Sequence, residues 1–456
     1  MQNCTIRKMN SNLLISKYIL RILLLLLFAV SSCSENNSVV DPIDSGTTIA
    51  KIAVFSDPHY FDPTLGTTKD SSNKDIGLDR KMIAESEAIL VSTINKILNE
   101  DANIVLIPGD LTKDGELQSH NKFAEHLKKL ENSGAKVYVV PGNHDINNPN
   151  AMSYLGSEPT PVANTSPSEF AEIYSDYGYS EALYRDPNSL SYVAQPSDDI
   201  WIIGMDACRY DNNLANGYSE TRGKFKPETY EWIKSKISEG ISLNKTIFGM
   251  MHHGLTEHFI GQGELFSPYI VDDFATVRLE FAALGLKLVF TGHYHAQDIV
   301  KFTSGADFIF DIETGSSVTW PSPFRIMELT SKNYLKVTSD FISEIDYDTG
   351  GLTFQEYAKE FLESWMPELI KHYLINDYAL SETNADIVAP IMTEAIMAHY
   401  AGDENPSQET LNEIQQLANN SDPTIQRIAT GLSLIWLDLI PSDNNITINL
   451  NNGNVQ

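Results

Sequence analysis

The hydrophobic positions of this chain form short apolar runs that alternate with amphipathic stretches. Runs rich in Val, Ile and Phe are typical of β-strands and occur at residues 52–56, 104–108, 137–141, 201–206, 246–251 and 288–291. Between several of them, apolar residues recur three and four positions apart, as on one face of a helix, at residues 82–98, 123–130 and 274–284. Nearly continuous apolar strands are typical of sheets buried on both faces. The pattern therefore predicts a layered α/β domain.

The character of the chain changes twice beyond Asp311. Apolar runs at residues 324–329 and 334–341 predict strands that complete a second sheet packed against the first. After Gly351 the spacing becomes helical, at residues 354–374, 387–400, 409–417 and 423–440. We therefore predict a main α/β domain over residues 49–345 and a mainly helical accessory domain over residues 346–456.

The first 32 residues have the pattern of an export signal. Four basic residues precede an uncharged apolar run, residues 22–30, that is shorter than the roughly 20 residues of a membrane-spanning helix. The segment Val30-Ser31-Ser32-Cys33 resembles a bacterial lipobox. We therefore predict a signal peptide over residues 1–32, lipidation at Cys33 and a flexible polar tether over residues 33–48. The protein would be an exported, membrane-anchored lipoprotein, periplasmic or on the cell surface; the alternative is ordinary cleavage beside an incidental cysteine.

The chain is strongly acidic, with 32 Lys and Arg against 61 Asp and Glu and a formal net charge of −29. Removal of the predicted signal takes away four basic and no acidic residues. This charge argues against nucleic acid polymers as partners. Of three cysteines, Cys208 alone lies in the predicted folded region, so a disulfide would need an unmodified Cys33.

Five short polar clusters follow apolar runs, and together they carry the chemistry of the chain. They are Asp57-Pro58-His59, Gly109-Asp110, Gly142-Asn143-His144-Asp145, Met251-His252-His253 and Gly292-His293-Tyr294-His295. His nitrogens and carboxylate oxygens bind zinc, iron and manganese, and a carboxylate can bridge two ions about 3.5–4 Å apart. One such cluster is weak support, but five in this arrangement predict a two-metal hydrolytic centre.

The clusters resemble the calcineurin-like metallophosphoesterase superfamily, whose motifs are D-x-H, G-D, G-N-H-[DE], H and G-H-x-H in this order. The resemblance covers residues 51–297 and implies a four-layer α/β/β/α sandwich. It also implies hydrolysis of phosphoester bonds in small organic phosphates, mono- or diesters, by a hydroxide shared between two metal ions. The ions would be divalent or mixed-valence Mn, Fe or Zn. The family roles place Asp57, His59 and His295 on the first ion, Asn143, His252 and His293 on the second, and Asp110 between them.

The resemblance also implies two residues for proton transfer. His144 would stabilise the transition state or protonate the leaving oxygen, and Asp145 would orient the His144 imidazole. Within the His252-His253 pair we choose His252 as the ligand, which leaves His253 as a supporting or packing residue. We expect His258 on a surface loop and His120 in a solvated helix position.

The substrate is left open by the sequence. The segment Gly109-Asp110-Leu111-Thr112-Lys113-Asp114-Gly115 resembles the class III cyclic nucleotide phosphodiesterase branch and its broad phosphohydrolase relatives. It lacks the arginine with which protein Ser/Thr phosphatases hold the phosphate. Lys113 could replace that arginine, but we expect an exposed loop lysine. The insert at residues 147–186 is expected to form a wall of the pocket, with its tyrosines, residues 154, 174, 177 and 179, either facing a substrate or packing in the core.

A non-enzymatic function is the alternative hypothesis. The acidic surface and the roughly hundred C-terminal residues are not required by phosphoester chemistry. They would suit a surface binding lipoprotein that retains the phosphoesterase fold. The intact set of seven predicted ligands argues against this alternative. The oligomeric state is not determined by these patterns.

Overall fold

Two mixed β-sheets lie at the centre of this computed structural model, which describes residues 45–67, 80–376 and 378–456. The strands are β1 Thr48–Val54, β2 Ile104–Ile107, β3 Lys136–Val139, β4 Met152–Ser153, β5 Thr160–Pro161, β6 Tyr184–Arg185, β7 Tyr192–Ser197, β8 Ile200–Gly204, β9 Thr246–Met250, β10 Leu288–Thr291, β11 Asp298–Ser304, β12 Asp307–Glu313, β13 Pro323–Thr330, β14 Tyr334–Phe341 and β15 Asn445–Asn449. The α-helices are α1 Ser86–Asn99, α2 Leu117–Asn132, α3 Pro167–Ile173, α4 Asn213–Asn216, α5 Pro227–Ser242, α6 Gln262–Leu265, α7 Phe274–Leu284, α8 Phe354–Asn376, α9 Glu382–Ala401, α10 Gln408–Ala418 and α11 Pro423–Ile435. Short turns of other helix types occur at Pro63–Leu65, Ser175–Tyr179, Tyr210–Asn212 and Ser267–Tyr269.

The first sheet has the strand order β15-β14-β13-β1-β2-β3. Strands β1, β2 and β3 are parallel, and helices α1 and α2 make the two crossovers between them. Right-handed crossovers place both helices on one face of the sheet. Their apolar side chains, including Ile94 and Leu127, belong to the hydrophobic core together with Val105 and Val137 of the strands. This explains why these strands are apolar at nearly every position.

The second sheet has the strand order β11-β12-β10-β9-β8-β7-β6. Strands β8, β9, β10 and β12 run parallel to one another, whereas β7 and β11 pair antiparallel at either side. Helices α5 and α7 cover one face through a separate apolar cluster that includes Trp201, Ile233 and Phe281. On the other face, Phe248 and Phe290 share one core with the first sheet. The predicted α/β fold with four layers, helices outside two stacked sheets, is confirmed.

The C-terminal helices α8 to α11 form a hydrophobic cluster of their own. Its members include Leu362, Val388 and Leu432, and it also contains Phe259 and Tyr294 from loops after β9 and β10. Helix α11 begins at Pro423, where Asp422 accepts a hydrogen bond from the Thr424 backbone N–H at 2.8 Å. It ends at Ile435, earlier than predicted, and the chain then returns to the first sheet as β15, antiparallel to β14.

None of the helices that the structure describes is both long and apolar enough to span a bilayer. The predicted signal peptide, Cys33 and the tether up to residue 44 lie outside the described residues. Residues 45–456 cluster as one compact unit.

Candidate metal centre

The predicted ligands lie where strands of the two sheets end. Asp57 and His59 follow β1, Asp110 follows β2, and Asn143 follows β3; His252 follows β9, and His293 and His295 follow β10. All five strands are parallel to a neighbour, so their carboxyl ends lie along one edge of each sheet, the edge at which α/β sheets bind ligands. Hydrogen bonds between side chains and backbone groups join the two edges. The His293 N–H donates to the Asp57 carboxylate at 3.1 Å, and His252 Nδ1 lies 2.9 Å from the Pro108 carbonyl oxygen.

Several of these residues adopt a backbone conformation that L-amino acids rarely occupy. The φ angles are 47° at Asp57, 37° at His59, 48° at Asp110, 76° at His293 and 69° at His295. Left-handed backbone at non-glycine residues costs free energy and persists where surrounding contacts hold it. The turns therefore aim their side chains at one point at the expense of local stability, as is common at functional sites.

One group of ligand atoms is formed by Asp57, His59 and His295. Asp57 Oδ1 lies 3.4 Å from His295 Nε2, and the Nε2 atoms of His59 and His295 are 3.3 Å apart. Asp110 Oδ2 is 3.7 Å from His59 Nε2. All four side chains are almost fully buried.

A second group is formed by Asp110, His252 and His293. His252 Nε2 lies 3.2 Å from Asp110 Oδ2 and 3.0 Å from Asn143 Oδ1. His293 Nε2 faces the carbonyl oxygen of Thr221 at 3.2 Å. A carbonyl only accepts, so Nε2 of His293 carries the proton and its Nδ1 is the nitrogen with a free lone pair. Asp110 is a member of this second group, and its Oδ2 also lies 3.7 Å from His59 Nε2 of the first, so the predicted bridging position stays a prediction that this arrangement allows.

The chemistry of the donor set fits cations at this place. Since Nδ1 of His252 donates to the Pro108 carbonyl, Nε2 of the neutral ring has only a lone pair, which it turns toward the oxygens of Asp110 and Asn143. Burial opposes protonation, but the Asp110 carboxylate raises the pKa of His252 to about 9. The lone pairs of His252 Nε2, Asp110 Oδ2 and Asn143 Oδ1 thus face one another. Only a proton or a metal ion between them can stabilise this arrangement.

His144 stands beside the ligands and is partly exposed, with 26% of its side-chain surface accessible. Its Nδ1 lies 2.7 Å from the Lys113 carbonyl oxygen and 3.0 Å from Asp114 Oδ1, so Nδ1 carries a proton and donates. Its Nε2 faces the centre, 4.0 Å from Asp110 Oδ2. Although burial opposes the charge, the carboxylates of Asp110 and Asp114 raise the pKa of His144. The His144 ring is therefore positioned to donate a proton from Nε2.

The prediction that Asp145 orients His144 is wrong. The Asp145 carboxylate accepts backbone hydrogen bonds from Leu111 at 3.1 Å, Thr112 at 3.0 Å and Gly142 at 2.7 Å, so it fixes the two loops that carry Asp110 and Asn143. Burial and the nearby Asp110 charge raise the pKa of Asp145 to about 7. The carboxylate beside the imidazole is Asp114, which the sequence did not identify because its position within the turn is set by tertiary contacts.

Three further expectations are wrong because side chains expected at the surface are buried. Lys113 is 7% exposed and paired with Asp114, and its ammonium lies 5.5 Å from the centre of the Tyr154 ring. His258 is fully buried among three carboxylates. His120 is also buried and lies 2.8 Å from the Tyr174 hydroxyl.

The insert at residues 147–186 contributes core aromatics, the second of the two alternatives. Tyr174, Tyr177 and Tyr179 are buried in the main core, and Tyr154 packs with Phe61 and Leu65 in a small cluster. His253 is a supporting residue: its Nε2 faces the Thr221 carbonyl at 2.9 Å, and its ring lies 4.5 Å from that of His293. Burial raises the pKa of the Cys208 thiol well above its ordinary value, which favours an inert thiol.

A family profile and a curated protein each match part of this chain. The profile of the family described as Calcineurin-like phosphoesterase matches residues 50–297, which is more than half of the chain. A probable cyclic nucleotide phosphodiesterase from Ruthia magnifica subsp. Calyptogena magnifica is 41% identical over 59 residues, 13% of this chain and 24% of that protein. The matched region is therefore a small part of that relative.

Two solved structures resemble the fold at low sequence identity. A dimetal phosphatase from Danio rerio aligns with a TM-score of 0.47 and 13% identity, covering 67% of this chain and 99% of the other. A purple acid phosphatase from yellow lupin seeds aligns with a TM-score of 0.41 and 10% identity, covering 66% and 52%. The family profile and the ligand motifs it spans lead to one conclusion: the chain belongs to the calcineurin-like phosphoesterase family.

Proposed function

We propose that this protein is a metal-dependent hydrolase that cleaves phosphoester bonds in small organic phosphates, mono- or diesters. The observation that carries the proposal is the position of Asp110, whose Oδ2 lies between His59 Nε2 at 3.7 Å and His252 Nε2 at 3.2 Å. One carboxylate facing two separate ligand groups is the arrangement required for a dinuclear centre.

The seven predicted ligands divide between two ions, which would be divalent or mixed-valence Mn, Fe or Zn, since nitrogen and oxygen ligands suit all three metals. Asp57, His59 and His295 would hold the first, Asn143, His252 and His293 the second, with Asp110 shared. When bound, such ions lower the pKa of water and neutralise phosphoryl oxygens.

The remaining chemistry belongs to side chains of the chain itself. His144 would donate its Nε2 proton to the leaving oxygen, because its Nδ1 proton is fixed by the Lys113 carbonyl and by Asp114. Asp145 would fix the positions of the two loops that carry Asp110 and Asn143. These roles follow the family pattern, except that Asp114 replaces Asp145 as the partner of His144.

The test is to strip purified protein of metal, refill it with manganese, zinc or iron, and measure hydrolysis of an aryl phosphate and a bis-aryl phosphate. Turnover should depend on metal and should disappear in Asp110→Asn. Asp101→Asn, at an exposed turn position just after α1, is the matched control and should behave as wild type. Failure of every metal to support turnover on either ester would reject the enzymatic function and favour the binding lipoprotein.

We also propose that the protein is exported and attached to a bacterial membrane through lipidated Cys33, and that the helices of residues 346–456 act as an accessory domain. Support for the anchor is the sequence around Cys33 alone. Incorporation of labelled palmitate into wild-type protein, but not into Cys33→Ser, checks it. Equal labelling of both proteins, or labelling of neither, would contradict it.

A further inference from the structure

The His293 ring faces two backbone carbonyls that belong to different loops. The carbonyl oxygen of Thr221 lies 3.2 Å from His293 Nε2, and that of Pro268 lies 3.3 Å from the same atom. Both carbonyls only accept, so together they keep the proton on Nε2 and leave the lone pair of Nδ1 for a cation. The positions of these two carbonyls therefore decide how His293 presents its ligand atom.

His253 fixes the first of these carbonyls. Its Nε2 lies 2.9 Å from the Thr221 oxygen, so one carbonyl accepts from two imidazoles. The His253 ring is fully buried, and its centre lies 4.5 Å from that of His293 and 5.3 Å from that of His252. The ring fits there because residue 223 is glycine: a Cβ at Gly223 would lie 2.5 Å from His253 Cγ and Nδ1. His253 is thus packed against two predicted ligands of the second ion.

Arg222 joins the two loops that carry the carbonyls. Its guanidinium donates from Nη1 to Ser267 Oγ at 3.0 Å and from Nη2 to Asp272 Oδ1 at 2.5 Å. Arg222 directly follows Thr221, and Ser267 directly precedes Pro268. A guanidinium is planar and rigid, so two such bonds define its orientation. They therefore fix one carbonyl relative to the other.

The segment of residues 219–223 contacts predicted ligands of the second ion. Ser219 Oγ donates to the Asn143 carbonyl oxygen at 2.5 Å, and the Thr221 carbonyl faces His293. Within the part of the chain that the structure describes, no hydrogen bond or ion pair joins this segment to a predicted ligand of the first ion. A change in the segment should therefore act on one site and not on the other.

We propose that His253 and Arg222 are positioning residues that act through His293 and set the affinity of the second metal ion without changing that of the first. They fix the two backbone carbonyls that accept the Nε2 proton of His293. The inference rests on the proposed function and deepens it. Hydrogen-bond partners of a ligating imidazole fix its tautomer and orientation, and their loss weakens metal binding by about 10- to 100-fold. Neither residue is one of the seven predicted ligands.

The test dialyses manganese-loaded protein against increasing concentrations of a chelator and counts the retained ions per chain by elemental analysis. His253→Ala and Arg222→Gln should each bind one ion about 10- to 100-fold more weakly and the other as wild type does. His253→Gln keeps an N–H donor for the Thr221 carbonyl and should restore much of the lost affinity. Lys224→Gln is the matched control, because this exposed lysine close to Arg222 is paired with Asp273, and it should bind both ions normally.

A spectroscopic measurement separates positioning from a structural role. When a variant has lost one ion, the electron paramagnetic resonance of its manganese should change from that of a coupled pair to that of a single ion. A merely structural residue would weaken both ions in parallel, and that result would overturn the inference. Unchanged affinity for both ions in His253→Ala and Arg222→Gln would overturn it as well.

Failure of the inference and failure of the proposed function give different results. If wild type holds two ions but hydrolyses no ester, the proposed function fails alone. If wild type turns over and the variants hold both ions normally, the inference fails alone. A wild type that holds a single ion would overturn the inference together with the dinuclear centre.

Discussion

Asp114 Oδ1 lies 3.0 Å from His144 Nδ1, and the same imidazole points its Nε2 toward Asp110 at 4.0 Å. The hydrogen bond to Asp114 fixes the ring orientation of His144, and the Asp110 and Asp114 carboxylates raise its pKa above the ordinary value, although burial opposes the charge. A general acid must be protonated, so the rate should fall as the pH rises through that pKa.

Asp114→Asn should shift the basic limb of the kcat/KM profile to lower pH, because removing a negative charge lowers the pKa of His144. The rate near neutral pH should fall by about 10- to 100-fold, as is usual for residues that orient a reacting group. Asp145→Asn is the contrasting variant: it should leave the limb in place and lower the free energy of unfolding by about 1–3 kcal/mol through the lost backbone contacts. A profile unchanged in Asp114→Asn would contradict this role.

His144→Ala should lower turnover by about 10²- to 10⁴-fold, the usual contribution of a general acid. Metal content should stay at the wild-type value, since His144 completes neither set of four predicted ligands. The two quantities are measured together, by rate assay and by elemental analysis of the dialysed protein. Loss of metal in parallel with loss of rate would instead make His144 a ligand.

Gly142→Ala should prevent assembly of the metal centre. A Cβ at Gly142 would overlap the backbone nitrogen and the Oδ1 atom of Asp110, which are not free to move because the chain there is buried. Both metal ions should therefore bind more weakly, and competition with a chelator measures their affinity.

Gly134→Ala is the matched control for that experiment. Gly134 has a positive φ, at 100°, and a Cβ there would meet nothing within 4 Å. It should lower the free energy of unfolding by about 1 kcal/mol through backbone strain and leave metal affinity unchanged. Equal metal affinity in Gly142→Ala and Gly134→Ala would contradict the packing argument.

His258→Gln should destabilise the fold strongly. The imidazole lies 3.3 Å from Asp298, 3.4 Å from Asp311 and 3.1 Å from Glu313, all buried, so its loss leaves acidic groups without compensation and costs about 3–5 kcal/mol. Urea unfolding measures this cost. His372→Gln, at an exposed position of α8, should change little.

The contribution of His258 to the free energy of unfolding should depend on pH. Although burial opposes it, the three carboxylates raise the pKa of His258 well above its ordinary value. A raised pKa in the folded state means that the stabilisation is complete below the unfolded value of about 6.5 and is lost as the pH rises through the folded value. The difference in unfolding free energy between wild type and His258→Gln should therefore shrink toward alkaline pH. A difference that grows with pH would contradict this sign.

Much of the fold was readable from periodicity alone. The apolar runs that became β2, β9 and β10 are buried at nearly every position, and the helical spacing around Phe123 and Phe274 marks α2 and α7. Side-chain periodicity reports burial directly, so these elements needed no tertiary information. The predicted ends of helices and strands were less accurate, because capping and packing decide where an element ends.

The sequence by itself determined the candidate ligands, because five motifs in one order predict which residue types follow which strands. Only the tertiary structure decided which carboxylate faces His144 and that Lys113 and His258 are buried. Each of these depends on contacts between segments far apart in the chain, such as His144 with Asp114 and His258 with Asp298. Local sequence patterns indicate which residues are buried and where the chain turns. Pairing between charges that are far apart in the sequence is decided only when the chain folds.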